Sequence, residues 1–223
     1  MGGYGPTVGG MTRLVLLAAL GAALCPAARA IDGPRLASMP LPKHLLGADA
    51  GALALASDSG VSSNADAARH AGQGLTGSDL ARTGRVTGYT LDYVLPSTAV
   101  AGAFQSLLGV QTIAELYRNK PAAVKGLAFW RGVTSSLGKR LTNGTTVDLS
   151  PFRAQVGDGA YAFELRYRRS GQTLGYIGDV VFRHGNLLGA VFVTSRDKVG
   201  LRARTLDLAE RLLARMRRVS AGG

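Results

Sequence analysis

A chain of 223 residues with a formal net charge of +12 and a single cysteine is long enough for one domain with a full core. Its cysteine usage excludes a disulfide framework and a thiolate metal site. The basic excess points to anionic partners, or simply to a soluble surface.

The first thirty residues read as an export signal. After Met11 and the basic Arg13 comes an apolar run over residues 14–24, then Pro26, then Ala28-Arg29-Ala30, the small-x-small pattern a signal peptidase accepts. The run is shorter than the ~20 residues of a membrane-spanning helix, so cleavage after Ala30 is expected. Residues 1–10, mostly glycine and without charge, read as an extension from an upstream start. Cys25 follows Leu24, not the small residue a lipoprotein signal requires, so a lipoprotein is not expected. The cleaved chain would have 193 residues (223 less 30), no cysteine, and a charge of +10, since Arg13 and Arg29 leave with the signal. Secretion also moves the basic surface away from nucleic acid and toward the envelope.

Residues 31–84 are rich in Ala, Gly, Ser and Asp and lack aromatics. They read as an N-terminal arm lying on the domain, partly mobile. Within it, Leu53 to Ala56 predicts one short strand before the Asp58-Ser59-Gly60 turn. Asn64 predicts a capped helix through His70, and Gly72 to Gly77 a loop.

The domain proper is expected over residues 85–219. Tyr89, Leu91, Tyr93 and Leu95 alternate with polar residues, as in a half-buried strand. A second apolar stretch runs from Phe104 to Ile113 and on to Tyr117; after Thr112 the pattern admits strand or helix, and strand is preferred. Pro121 suits a first helical turn, followed by Ala123, Leu127, Trp130, Thr134 and Leu137 at helical spacing, with Asn143-Gly144 turning the chain afterwards. Tyr161, Phe163, Leu165 and Tyr167 predict a strand with one wet face. Turns at Ser170-Gly171 and Gly185-Asn186 then lead into two more strands. The last, over residues 187–195, is apolar on both faces and so belongs at the centre. A final helix over about 200–219 has Leu201, Thr205, Leu208, Leu212, Met216 and Val219 as its buried stripe. Strands covered on both faces need helices on each side. The fold class is therefore α+β: an antiparallel sheet with the Pro121 helix on one face and the C-terminal helix on the other.

The Gly84-Arg85-Val86-Thr87-Gly88-Tyr89 entry, the 156–160 turn and the Phe182-Arg183-His184-Gly185-Asn186 hairpin resemble those of uncharacterised secreted actinobacterial proteins. The layout is similar to the PsbP/Mog1-like α/β/α sandwich. What this resemblance implies is a non-enzymatic binding or accessory module, with no functional residue carried over.

Motifs with chemical meaning are few. Gly72-Gln73-Gly74-Leu75-Thr76-Gly77 matches the dinucleotide fingerprint in letters only, because no apolar strand precedes it. Ser136 to Lys139 and Ser195 to Lys198 match Ser-x-x-Lys without the companion elements that chemistry uses. His44, His70 and His184 are scattered, so no metal is expected, and no cofactor is called for. Three Glu in the whole chain leave a paired-carboxylate hydrolase poorly supported. A hydrolase with dispersed residues Asp158, Asp179, His184 and Ser195 stays as an alternative, though no catalytic residue is assigned. Two binding surfaces are candidates. One is an anion-binding strip of Arg202, Arg204, Arg211, Arg215, Arg217 and Arg218, whose partner would be an anionic envelope polymer, a lipid or an acidic protein. The other is a groove edged by Trp130 and Arg131 with Tyr89 or Tyr93. The functional expectation is a secreted, non-catalytic binding or accessory module.

Overall fold

The structure, a computed structural model, describes residues 31–72, 74–96, 106–137 and 145–222. Expectations for the export signal, the start at Phe104, Lys139 and the Asn143-Gly144 turn lie outside the described residues. Residues 31–223 make one compact unit.

Its frame is an antiparallel sheet. The strands are β1 (Ala54–Leu55), β2 (Gly60–Ser62), β3 (Arg85–Val94), β4 (Leu107–Tyr117), β5 (Thr145–Pro151), β6 (Ala160–Arg169), β7 (Gln172–His184) and β8 (Leu187–Ser195). They run in the order β1-β3-β4-β8-β7-β6-β5, with β2 also paired to β3. The doubly apolar β8 is thus central, between β4 and β7. Strand is the outcome after Thr112, where β4 continues to Tyr117. The seven residues of β5, TTVDLSP, were not assigned to a strand, although Val147, Leu149 and Pro151 alternate with Asp148 and Ser150.

Helices cover both faces, as the patterning demands. The long C-terminal helix α5 (Leu201–Ala221) buries Leu201, Thr205, Leu208, Ala209, Leu212, Leu213 and Met216. These pack on Val180 and Phe182 of β7 and Val191 and Val193 of β8. Burying each large aliphatic side chain of this kind contributes about 2 kcal/mol. The helix lies close because Gly178 offers no Cβ, which would overlap the Thr205 hydroxyl. The opposite face carries α4 (Lys120–Ser136), which Asn119 caps by accepting from the Ala122 amide at 2.9 Å, with proline in the first turn. Leu127 and Trp130 of α4 pack toward Val181, Leu188 and Ala190, the alternate residues of β7 and β8.

Residues 31–84 differ from an arm laid on a finished domain. A short α1 (Gly33–Ala37), two 3₁₀ turns at Lys43–Leu45 and Ala48–Ala52, and their connections bury Leu36, Met39, Leu41, Leu46, Ala50 and Leu53 in the α5-side core. The Leu41 amide donates to the Thr112 hydroxyl inside the sheet at 3.1 Å. Further on, α2 (Asn64–Ala71) begins one residue earlier in its capping than expected. Ser63, not Asn64, is the N-cap, in a reciprocal box with Asp66. The expected 72–77 loop ends in a second such box, Thr76 with Asp79, that opens α3 (Gly77–Thr83). Through Ala67, Ala68 and Leu80, these two helices pack against Phe129 and Trp130 of α4.

Candidate functional site

The alternation that sends Val180, Phe182, Val191 and Val193 toward α5 sends the intervening residues toward α4. There α4, α2 and the sheet do not close completely, and a cavity of about 370 Å³ remains. Its walls are largely apolar: Val181, Leu188 and Ala190 from the sheet, Val133 and Leu137 from α4, Ala67 and Ala71 from α2. Four aromatic side chains face it, Trp130, Tyr161, Tyr167 and Phe192. Polar groups enter from Ser62, Thr90, Gln111, Glu115, Thr134 and, on α2, His70. A concave, mostly apolar space with a few convergent polar groups is what a small-molecule site requires.

Two acids define its electrostatics, and they are handled differently. Glu115 is buried but fully engaged. Its Oε1 accepts from Arg85 Nε at 2.7 Å, and its Oε2 accepts from the Tyr117 hydroxyl at 2.9 Å and Trp130 Nε1 at 3.0 Å. Arg85 spends its remaining donors on the Ser62 carbonyl, Ser62 Oγ and Asn64 Oδ1. Gly88 makes room for that guanidinium, which an added Cβ would overlap. Burial, then the Glu115 charge, pushes the Tyr117 phenol far above its usual range. This ion pair fixes one wall of the cavity and places the indole of Trp130.

Asp179 is the opposite case. It lies on β7 between Phe163 of β6 and Phe192 of β8 in register and is 1% exposed. Its Oδ2 accepts from the Thr134 hydroxyl at 3.2 Å, while Oδ1 has no partner among the described residues. Thr134 Oγ1 also lies 3.4 Å from the Tyr161 hydroxyl. With Asp179 ionised, Thr134 donates to it and Tyr161 donates to Thr134, so the chain runs from the cavity wall to the carboxylate. Burial raises the Asp179 carboxyl to about 7, partly offset by the Thr134 bond. Burial, with Asp179 next, pushes up the phenols of Tyr161 and Tyr167.

The candidates from sequence distribute as follows. Trp130 joins the cavity, but Tyr89 and Tyr93 pack in the α5-side core, so the sheet separates them from Trp130 and that groove is not assembled; Arg131 is exposed on α4. Along α5, Arg202 pairs with Glu164 at 2.8 Å, Arg204 with Asp49, and Arg211 with Asp207 at 2.8 Å. Arg215 donates to the Ser38 carbonyl at 2.6 Å. Four of the six arginines thus make contacts within the chain. Arg217 lies near His184, where its charge helps lower that imidazole after burial has done so. Arg218 gives its carbonyl to the Gly222 amide. The dispersed hydrolase set is not brought together. His184 opposes Leu187, and Ser195 opposes Tyr176, eight strand positions apart, or about 26 Å. Asp179 faces the other side, toward Thr134. Members of a catalytic triad must be within hydrogen-bond reach. Among the described residues no cluster of three potential metal ligands occurs.

Sequence reasoning missed the cavity, Glu115 and the placement of Asp179. A signal did exist for the two acids, because each interrupts an apolar strand, residues 107–117 and 176–182.

Fold and site together define an α+β sandwich with a ligand-sized cavity under one helix. No protein-family model matches the chain, and no curated protein does. Among solved structures, it is similar to the extracellular domain of PknH from Mycobacterium tuberculosis, with a TM-score of 0.58 and 12% identity. The likeness covers 86% of this chain and 99% of that one. At that identity it shows a shared fold and nothing finer.

Proposed function

We propose that this chain is a non-catalytic, extracytoplasmic binding module that takes a small, largely apolar molecule into the cavity under α4. The observation that carries the reading is the cavity itself, about 370 Å³ with apolar walls and converging polar groups. Support for the location comes from the signal-like residues 1–30 and from the extracellular setting of the PknH domain that shares the fold. No helix among the described residues is long and apolar enough to cross a membrane. A PsbP/Mog1-like affinity is part of the same proposal, supported by a sheet between helical layers and by no shared functional residue.

Trp130, the one tryptophan of the chain, lines the cavity, so its emission reads occupancy directly. Titration with 1-adamantanol, a compact apolar probe that does not absorb in the tryptophan region, is expected to give a saturable change. Filling the space by Ala190→Leu, or from the helix side by Val133→Phe, should remove the response while the far-ultraviolet circular dichroism is unchanged. A response that survives both substitutions places binding elsewhere and overturns the assignment.

A further inference from the structure

We infer that the ligand of this cavity is a long, uncharged amphiphile, one alkyl chain with a hydroxyl head, lying across the sheet beneath α4. The inference rests on the binding reading above and names its ligand class.

Shape, polarity and charge carry it. The lining is drawn from β2, β3, β4, β8, β7 and β6, six successive neighbours in the sheet. A round space of about 370 Å³ would be about 9 Å across, whereas the five spacings from β2 to β6 come to about 24 Å. Side chains leaning in from both ends shorten that distance without removing the difference. The space is therefore elongated, and a compact molecule fills only part of it. Polarity is graded along the same direction. At the β2–β4 end the lining side chains are Ser62, Thr90, Gln111 and Glu115, with His70 on α2, the helix packed on β2 and β3. The His70 side chain is 48% exposed, which makes this end the mouth. Toward β7 and β6 the walls turn to Val181, Tyr161 and Tyr167, with Val133 and Leu137 contributed by α4. Burial keeps both phenols protonated, and Thr134 at this end spends its hydroxyl on Asp179. A polar head thus belongs at the mouth and an apolar tail beyond it.

The mouth suits a head without charge. Glu115, the one acid among the lining residues, has its counter-charge in Arg85 at 2.7 Å, so a cationic head finds no free carboxylate in the wall. Gln111 shares a hydrogen bond with Asp92, whose carboxyl is already pushed up by burial and by the neighbouring Asp58. An anionic head would add a further negative charge beside these acids. A hydroxyl both donates and accepts, which matches the hydroxyl of Thr90, the amide of Gln111 and the imidazole of His70.

The test follows Trp130 emission through the straight-chain alcohols from 1-hexanol to 1-dodecanol, beside 1-adamantanol, which folds the carbon count of 1-decanol into a compact cage. 1-Decanol is expected to bind at least tenfold tighter than 1-adamantanol, with affinity rising about fourfold per methylene from hexanol to decanol. Leu137→Phe and Val181→Leu, which fill the apolar end, should each stop that rise at a shorter chain while 1-hexanol binds as in the parent. Val199→Ser, at an 87% exposed apolar residue outside the cavity, should leave the series unchanged. Decanoate and decyltrimethylammonium should each bind at least tenfold more weakly than 1-decanol. The inference is overturned by 1-adamantanol binding as tightly as 1-decanol, or by a preference for either ion. It is equally overturned by a loss in Val199→Ser, or by an unaltered rise in either filling variant whose circular dichroism matches the parent. None of these results touches the binding module, which the 1-adamantanol response decides separately. Absence of any response, to 1-adamantanol as to the straight chains, overturns the module itself.

Discussion

Above pH 7 the Asp179 carboxyl carries a charge inside the α4-side core with a single hydroxyl donor at 3.2 Å. Its folded value of about 7 exceeds the ordinary ~3.9 of an unfolded aspartate. Between those values the folded chain keeps a proton that the unfolded chain has lost, so stability falls as pH rises, by ~1.4 kcal/mol per unit. The contribution is complete below about pH 4 and gone above about pH 7, a total on the order of 4 kcal/mol. Asp179→Asn removes the titration without removing volume. Urea unfolding should show the variant close to the parent at pH 4 and more stable by about 2–4 kcal/mol at pH 8. A variant less stable than the parent at pH 8 would mean that the carboxylate has a counter-charge after all. Glu115 shows the contrast within the same layer. With Arg85, Tyr117 and Trp130 all donating to it, its charge is structural, whereas the Asp179 carboxylate has one hydroxyl donor among the described residues.

At the scale of elements, what was legible in the sequence was whatever repeats. The alternation of Tyr89 to Leu95 and of Tyr161 to Tyr167 became β3 and β6, and the stripe of Leu201, Thr205, Leu208, Leu212, Met216 and Val219 became the core-facing side of α5, where Ala209 and Leu213 join it. The centre of the sheet was legible because β8 is apolar on both sides. What does not repeat was read as an arm. Leu36, Met39, Leu41, Leu46, Ala50 and Leu53 share no single helical or strand period, because they are spread over a short helix, two 3₁₀ turns and their connections, and only the assembled core makes them equivalent. The cavity escaped for a related reason: its lining is collected from α2, α4 and six strands, and no local pattern reports a space left between elements. The irregular segment should nonetheless be as costly to truncate as a regular one. Leu41 and Leu212 are both 0% exposed. Leu41→Ala is expected to destabilise by about 3 kcal/mol, within about 1 kcal/mol of Leu212→Ala in α5. Denaturant midpoints at equal slope would measure both. A loss below about 1 kcal/mol for Leu41→Ala would restore the reading of residues 31–84 as an accessory arm.

For the whole molecule, the compact unit starts at Ile31, the residue that follows the small-x-small pattern of Ala28 to Ala30. A signal cut there would leave that unit's residues whole. It would leave a cysteine-free domain with a charge of +10 (twelve less Arg13 and Arg29), so long-range attraction to anionic surfaces follows from net charge alone. A dedicated strip on α5 would add local contacts to that attraction, but Arg202, Arg204, Arg211 and Arg215 are already held by Glu164, Asp49, Asp207 and the Ser38 carbonyl. The two origins separate experimentally. Attraction by net charge fades once the Debye length falls to about 3 Å near 1 M salt, and it depends on how many charges are removed rather than which. Residues 31–223 should therefore sediment with phosphatidylglycerol vesicles at 10 mM salt and stay in the supernatant at 1 M. The exposed pair change Arg217→Gln with Arg218→Gln should weaken sedimentation no more than Arg69→Gln with Arg82→Gln on α2 and α3. A loss confined to the α5 pair would identify the C-terminal helix as a membrane-facing surface in its own right.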